Sequence, residues 1–190
     1  MEWEAGRPLS THVGVCVPCR RCTVCLENRA ELWGVRMAVE TLLSHRTWLS
    51  TFTLRPDCQY EALAVGLKKL GLAGVETTPE QELKARHVGI ASLFVTPYWK
   101  RVRKQSGHTL RICQVMELTE AGLPHYHALV HEPDEFNTVT KRILQEQWHA
   151  GFCDHKLVEN PKGAASYVAK YLTKAVKVGR VRASLRYGRV

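Results

Sequence analysis

The sequence predicts an α+β fold in which helices flank a central antiparallel sheet. Segments rich in β-branched and aromatic residues are interspersed with segments whose apolar residues recur at helical spacing. Two predicted strands, residues 110–118 and 125–131, are joined only by the turn-like sequence TEAGLP. So short a connection is typical of a β-hairpin, and a hairpin among interspersed helices favours an α+β architecture.

The first predicted elements are a helix and a strand. Residues 26–43 carry apolar side chains at helical spacing from Leu26 to Met37, a pattern typical of an amphipathic helix. Residues 47–54, TWLSTFTL, are rich in β-branched and aromatic residues and are followed by Arg-Pro-Asp. They therefore predict a strand that ends before the proline.

Two Thr-Pro pairs mark the next helices. Thr78 is a suitable N-cap, Pro79 suits the first helical position, and Gln81 completes a capping box. Thr96 repeats this start, so we expect another helix, which carries the basic sequence WKRVRK at residues 99–104.

Two further helices are expected in the C-terminal third, at about residues 137–148 and at about residues 163–176. At roughly 100° per residue, one arc of the second helix is apolar. That arc consists of Ala164, Ala165, Val168, Leu172, Ala175 and Val176.

Length and charge restrict the function. A chain of 190 residues suits one globular unit with its own core. The 27 Lys and Arg residues outnumber the 18 Asp and Glu residues, so the net charge is +9, with basic clusters at residues 99–104 and 177–190. This excess favours an anionic partner, with nucleic acid first and an anionic membrane surface as the alternative. No stretch approaches the roughly 18 apolar residues of a spanning helix, so we expect no membrane partner.

The N-terminal segment combines acidic residues with a regular series of cysteines. It has no basic and apolar leader pattern, so we expect a cytoplasmic protein with reduced thiols. Cys16, Cys19, Cys22 and Cys25 recur every third residue. On one helix these side chains would point in different directions, so shared binding of a structural zinc ion requires a loop. The alternative is a cluster of structural thiols. We divide the chain into a tail and cysteine-rich segment, residues 1–29, packed on a main domain, residues 30–190.

The strand sequence HYHALVH predicts a metal site. His125 and His127 point to one face because strand side chains alternate, and Glu117 shares that face if it pairs with either histidine. Two imidazoles and a carboxylate form a three-ligand site that suits Mg²⁺ or Mn²⁺ and a phosphate. Glu120 in the turn is a competing ligand, and a strand with two structural histidines is the alternative.

The last predicted helix carries a pair of tyrosines. Tyr167 and Tyr171 lie one turn apart at the border of its apolar arc, followed by Lys170 and Lys174. They are either two phenols packed at the margin of the core or two nucleophiles, each with a lysine able to hold a phosphate.

The order of these motifs resembles a known family. TWLSTFTL, then MELTEAGLPHYHALV, then AASYVAKYLTK resemble the HUH-superfamily rolling-circle replication initiators. Those of small single-stranded DNA phages such as the Microviridae are most similar, and VPCRRCTVCLENRAELWGVRMAVE, YWKRVRK and QWHAGF also resemble that group. The resemblance covers most of the chain, from about residue 17 to residue 174.

The resemblance implies a fold and a set of roles. The fold is an RRM-like or palm-like antiparallel sheet with the tyrosine helix packed beside it. His125, His127 and Glu117 match the metal ligands, and Tyr167 and Tyr171 match the catalytic tyrosines. Lys170 and Lys174 lie where such proteins carry basic residues near the phosphate. The chain ends soon after this helix, so helicase and polymerase activities would come from host proteins.

The implied activity is nicking and rejoining of single-stranded DNA at a replication origin. A tyrosine would attack the scissile phosphate and remain linked to the 5′-phosphate, with an Mg²⁺ or Mn²⁺ ion in support. The unpaired strand would be held by charge and stacking through Trp99, Lys100, Arg101, Arg103 and Lys104, unless they form only a solvated helix face.

Two other classes of protein remain as alternatives. A non-haem iron enzyme also uses two histidines and one carboxylate, but it gives no role to the tyrosines or the net charge. A non-catalytic, zinc-dependent nucleic-acid-binding protein built on the cysteines would bind DNA without cleaving it.

Overall fold

Five strands form one sheet in the computed structural model, which describes residue 19, residues 22–174 and residues 180–189. The strands are β1 (Arg46–Phe52), β2 (Arg111–Leu118), β3 (Pro124–Glu132), β4 (Cys153–Leu157) and β5 (Val181–Ala183). Their order across the sheet is β4-β1-β3-β2-β5, and neighbouring strands are antiparallel. The predicted α+β fold with a central antiparallel sheet is therefore confirmed.

Helices cover both faces of this sheet. Those in the described residues are α1 (Thr23–Leu43), α2 (Pro56–Lys69), α3 (Pro79–Ile90), α4 (Thr96–Ser106), α5 (Lys141–Glu146) and α6 (Pro161–Lys174). The expected helix at residues 26–43, the first strand, the hairpin and the tyrosine helix correspond to α1, β1, β2–β3 and α6.

The sheet separates two apolar layers. One layer joins α1 and α6 to the sheet through buried residues such as Met37, Leu129 and Val168. The larger layer lies on the other face and includes Phe52 and Val130. Because strand residues alternate between faces, β3 supplies Leu129 to the first layer and Val130 to the second. The β3 face that carries His125 and His127 is therefore the one beside α6.

The two Thr-Pro pairs behave differently. Thr78 caps α3 as predicted, since its Oγ1 accepts the Gln81 N–H over 3.3 Å and the Gln81 Oε1 accepts the Thr78 N–H over 2.8 Å. α4 begins at Thr96 but continues α3 through a π-helical turn, Ala91–Val95. The Thr96 hydroxyl donates to the Ala91 carbonyl over 2.6 Å, so the expected separate start at this residue is wrong. A wider turn accommodates the following proline, which has no N–H to donate.

The sequence left three elements unpredicted and placed one helix too broadly. Strands β4 and β5 are short, with 5 and 3 residues, too few to establish an alternating pattern. Helix α2 begins at Pro56, which we read only as the end of a strand, although proline also suits the first turn of a helix. The helix expected at residues 137–148 is confined to Lys141–Glu146.

Two expectations about organisation meet the structure only in part. The division between residues 29 and 30 falls inside α1, so it stays a prediction as a domain boundary. Within the described part of the chain, no helix is long and apolar enough to cross a membrane.

Candidate metal and nucleophile site

Strand register brings two histidines and a glutamate to one face of the sheet. In the β2–β3 hairpin, Glu117 lies opposite His125, and Val115 lies opposite His127. On the other side of β3, Thr51 of β1 lies opposite His127. Opposed residues share a face, so Glu117, His125, His127 and Thr51 all point toward the layer that contains α6.

The three predicted ligands converge. The Nε2 atoms of His125 and His127 are 3.0 Å apart, and the Glu117 Oε2 lies 3.3 Å from the His127 Nε2. One ligand atom from each residue lies within 4.8 Å of the others. Two nitrogens and one oxygen at this spacing could hold a divalent cation and leave coordination positions for a substrate.

Burial keeps both imidazoles neutral at pH 7. Desolvation and the neighbouring His125 lower the pKa of His127 to about 3. Desolvation also lowers the pKa of His125. A neutral imidazole keeps a lone pair for a metal ion, whereas an imidazolium does not. The surroundings thus suit metal binding more than an ion pair with Glu117.

Thr51 sets the orientation of one histidine. Its Oγ1 lies 3.3 Å from the His127 Nδ1. A proton on Nδ1 is therefore donated to the hydroxyl, which leaves the His127 Nε2 lone pair directed at His125 and Glu117. We did not predict this residue. Its position in the strand TWLSTFTL was evident, but its partner depends on the β1–β3 register, which no local pattern encodes.

The structure separates the two glutamates that competed for the site. Glu117 lies on β2 and is half-buried beside the histidines, whereas Glu120 lies in the exposed turn after β2. Among the described residues, Glu117 is the carboxylate that groups with His125 and His127.

Helix α6 brings one tyrosine to this cluster. Ala165 and Val168 are buried against the sheet, and Tyr167 between them is 46% exposed. The ring of Tyr167 meets that of His127 edge to face, with centroids 5.9 Å apart at 84°. Its phenol is therefore beside the candidate ligands and accessible to solvent.

A surface cavity adjoins the exposed side of Tyr167. It has a volume of about 330 Å³ and is lined by residues that include Lys156, Asn160 and Gly163. Asn160 caps α6, since its Oδ1 accepts the Gly163 N–H over 2.9 Å. A helix N-terminus and a lysine both favour an anion in this cavity.

The other predicted catalytic residues lie on the same helix. Tyr171 is one turn beyond Tyr167, and Lys170 and Lys174 also fall within α6. The structure describes their place on the helix but not their side chains, so their roles stay predictions.

Three of the four predicted cysteine ligands lie together at the start of α1. The sulfur atoms of Cys19, Cys22 and Cys25 lie within 4.8 Å of one another. Cys16 lies outside the described residues.

The basic run on α4 divides into exposed and buried residues. Lys100, Arg103 and Lys104 are exposed, and Arg101 is partly buried and donates to the Gln147 carbonyl over 2.8 Å. Trp99 is only 4% exposed, and its indole N–H donates to the Gln114 Oε1 over 3.0 Å. The prediction that its ring stacks on DNA bases is therefore wrong, because packing turns this side of α4 toward the core.

Comparison with known proteins places these residues in a family. Residues 76–176 match the family of the replication-associated protein ORF2. The chain is also 27% identical over 176 residues to the replication-associated protein ORF2 of Spiroplasma virus 4, a match covering 85% of this chain and 49% of the relative. This chain thus spans about half the length of that curated relative. No solved structure matches it. The family match covers more than half of the 190 residues, including Glu117, both histidines and Tyr167, and the chain therefore belongs to the replication-associated protein ORF2 family.

Proposed function

We propose that this protein is an HUH-type initiator that nicks and rejoins single-stranded DNA to begin and end rolling-circle replication. The observation that carries the proposal is the convergence of Glu117, His125 and His127 beside the accessible ring of Tyr167. Membership of the replication-associated family and the similarity to a Spiroplasma virus protein support a role in phage DNA replication. The net charge of +9 suits a nucleic-acid substrate.

The donor set fits a divalent cation. Glu117 Oε2 and the Nε2 atoms of His125 and His127 would hold it, since all three are close together and both imidazoles are neutral. When bound, Mg²⁺ or Mn²⁺ supplies a Lewis acid that polarises the scissile phosphate and offsets its developing charge. Thr51 fixes the ring of His127, so the lone pair of Nε2 stays directed toward the ion.

Tyr167 supplies the nucleophile. Its phenolic oxygen attacks phosphorus, the bond from phosphorus to the 3′ oxygen breaks, and the 3′ oxygen takes up a proton as the phenolic proton passes to solvent. The products are a 5′-phosphotyrosine and a free 3′-OH. The 3′-OH primes synthesis by a host polymerase, and the phosphotyrosine conserves the bond so that a later 3′-OH can reseal the strand.

A second phenol one turn away has a distinct use. Tyr171 can attack the regenerated origin while Tyr167 remains linked to the first 5′-phosphate. Lys170 and Lys174 would help to hold the phosphate. This arrangement allows one protein molecule to end a round of replication by transferring the strand between two tyrosines.

The remaining partners follow from what the reaction needs. The exposed Lys100, Arg103 and Lys104 and the partly buried Arg101 would contact the phosphates of the unpaired strand. A host helicase would separate the duplex ahead of the host polymerase, and both act in the host cytoplasm.

The decisive experiment is detection of a covalent protein–DNA adduct. Purified protein is incubated with Mn²⁺ and origin-bearing single-stranded DNA, and the products are separated on a denaturing gel. We expect an adduct with wild type, and none with His127→Ala or with Tyr167→Phe combined with Tyr171→Phe. The exposed residues His45 and Tyr60 provide the matched controls His45→Ala and Tyr60→Phe.

The same experiment separates the alternatives. No adduct with any DNA drawn from the encoding genome would refute the proposal. Oxygen-dependent turnover with Fe(II) would instead indicate the iron enzyme. DNA binding that neither forms an adduct nor depends on His125 would indicate a non-catalytic DNA-binding protein.

A further inference from the structure

A basic cleft lies at the β5 edge of the sheet, away from the histidine cluster. Its larger cavity has a volume of about 470 Å³, and an adjoining cavity of about 260 Å³ shares Gln114 and Arg182 with it. We name this surface the β5 cleft and define it by Arg29, His87, Lys100, Arg103, Arg180 and Arg182.

The cleft lies on the sheet face opposite the candidate metal ligands. Arg182 of β5 is opposite Gln114 of β2, whereas Val115 is opposite His127. Strand alternation therefore directs Arg182 and Gln114 away from the histidines. Tyr126 lies between the two histidines in sequence, and its ring lines the cleft.

The charge of the cleft is not neutralised. Arg29, Lys100, Arg103, Arg180 and Arg182 line the two cavities, and no Asp or Glu is among the described lining residues. None of these five side chains lies within 4.0 Å of a carboxylate in the part of the chain that the structure describes. Positive charges in a concavity reinforce one another and attract anions.

The floor of the larger cavity suits an uncharged, planar group. The rings of His87 and Tyr126 are stacked at 28°, with centroids 6.3 Å apart, and the His87 Nδ1 lies 3.2 Å from the Tyr126 hydroxyl. Burial, together with the charges of Arg180 and Arg182, lowers the pKa of His87 to about 4. The imidazole is therefore neutral at pH 7 and adds no charge where the cavity narrows.

We infer that the β5 cleft binds single-stranded DNA outside the scissile position, with the phosphates on the basic rim and one base in the larger cavity. The identity of this ligand rests on the proposed function. The volume lies within the roughly 300–1,000 Å³ of small-ligand sites. An unpaired strand can turn a base into the cavity, whereas a duplex must first unstack and unpair it at a cost of a few kcal/mol. A strand that reaches both this cleft and Tyr167 passes around an edge of the sheet.

Salt-dependent binding tests the inference. Fluorescence anisotropy with labelled oligothymidine is measured over a NaCl series for wild type, for Arg180→Gln with Arg182→Gln, and for Lys100→Gln with Arg103→Gln. Each phosphate contact contributes about 0.7 to the slope of log Kobs against log salt for single strands. Loss of two contacts should make the slope shallower by about 1.4 in each cleft variant.

The matched control is Lys68→Gln with Lys69→Gln, which removes two exposed charges at the end of α2, outside both cavities. Its slope should equal that of wild type. Equal slopes for the control and cleft variants would overturn the inference. An equal change of slope on duplex DNA, or displacement of the oligonucleotide by thymidine monophosphate from wild type alone, would overturn the single-strand assignment. The variant at Lys100 and Arg103 also guards against a folding defect, since Arg182 donates to the Thr96 hydroxyl over 2.9 Å and those exposed residues carry no such bond in the described structure.

The adduct experiment distinguishes failure of this inference from failure of the proposed function. The cleft variants should need more DNA for half-maximal adduct but reach the same yield at saturation. Tyr167→Phe with Tyr171→Phe should form no adduct and keep the wild-type salt slope. If no variant or wild type forms an adduct while the slope still changes, the cleft stands and the nicking proposal falls.

A separate observation concerns the sulfur atoms at the start of α1. The Sγ atoms of Cys19 and Cys25 are 3.7 Å apart, and the Cys22 N–H donates to the Cys19 Sγ over 3.3 Å. An amide hydrogen bond to sulfur stabilises a thiolate, as does the N-terminal end of a helix. The backbone of Cys25 lowers the pKa of Cys22, but hydrogen bonds with the thiols of Cys19 and Cys25 raise it more. Such crowded thiols favour a cation that can neutralise them.

We propose that Cys19, Cys22 and Cys25 bind a zinc ion that fixes the first turn of α1. The three sulfur atoms already converge, and zinc takes thiolate ligands in structural sites with four-coordinate geometry. α1 packs on α6 through Ala30 and Ala165, so the ion would stabilise a helix that supports Tyr167. The ion would be structural and separate from the cation at His125 and His127.

Metal analysis tests the zinc site directly. Protein purified without added metal should contain one zinc per chain by mass spectrometry, and Cys19→Ser with Cys22→Ser should contain none. Serine is a good N-cap, so the variant should retain α1. Cys153→Ser, away from this cluster, is the control and should keep the ion. Cobalt substitution should give a thiolate charge-transfer band in wild type alone. Zinc-free wild type, or zinc retained in the double variant, would overturn the proposal.

Discussion

The ring of Tyr167 stands edge-on to the ring of His127, with centroids 5.9 Å apart. These residues lie 40 positions apart in sequence, and packing of Ala165 and Val168 of α6 against the sheet holds them together. The contact joins the candidate nucleophile to the candidate metal ligands. It also makes the position of α6 a requirement for the proposed chemistry.

Glu117 and Glu120 should differ sharply in metal binding. Glu117→Gln removes the carboxylate that lies 3.3 Å from the His127 Nε2, so Mn²⁺ affinity measured by calorimetry should fall by at least about tenfold. Glu120→Gln changes an exposed turn residue and should bind Mn²⁺ like wild type. The reverse order of affinities would assign the ligand to Glu120 and contradict the geometry.

Thr51 should act through His127. Thr51→Val keeps the shape of the side chain but removes the hydroxyl beside the His127 Nδ1. Loss of an outer hydrogen bond to a metal-bound histidine costs roughly 10- to 100-fold in affinity, and we expect an effect of that size on Mn²⁺ binding. Thr51→Ser retains the hydroxyl and should restore affinity. Equal weakening by both variants would indicate a packing role alone.

His155 should make stability depend on pH. Its Nδ1 lies 2.8 Å from the Ser50 Oγ, and burial lowers the pKa of His155 to about 4. An unfolded histidine titrates near about 6.5, so between these values the unfolded chain binds more protons. The free energy of unfolding should therefore be full above about pH 6.5 and fall toward pH 4, by up to about 1.4 kcal/mol per pH unit from this residue.

Urea unfolding at a series of pH values measures this effect. His155→Gln should make the decline below pH 6.5 shallower, whatever its effect on stability at pH 7. His45→Gln changes an exposed histidine and should leave the slope as it is in wild type. An unchanged slope in His155→Gln would show that the buried imidazole does not supply the expected protons.

Gly66 and Gly89 should tolerate no side chain. A Cβ on Gly89 would lie 1.8 Å from the Ala62 carbonyl oxygen, and one on Gly66 would lie 1.7 Å from that of Ala85. Alanine at either position forces α2 and α3 apart, and overpacking of this kind costs typically about 1–3 kcal/mol. Thermal unfolding of Gly89→Ala should show this loss, while Lys84→Ala on the exposed side of α3 should change stability little.

Local patterns determined much of the candidate site. Strand alternation alone placed Glu117, His125 and His127 on one face, because parity along paired strands does not depend on the rest of the fold. The capping box at Thr78 was equally local, since its two hydrogen bonds join residues three apart. The sequence also indicated the hairpin, because its strands are joined by one short turn.

Tertiary packing decided what no local pattern could express. Trp99 and Lys100 are neighbours on α4, yet packing buries the first and exposes the second. Thr51 reaches His127 only through the β1–β3 register, and Arg182 joins Lys100 only because β5 pairs with β2. These contacts connect residues far apart in the chain, and their formation depends on how whole elements bury apolar surface. The sequence thus determined which residues could do the chemistry, and the tertiary structure decided which of them meet.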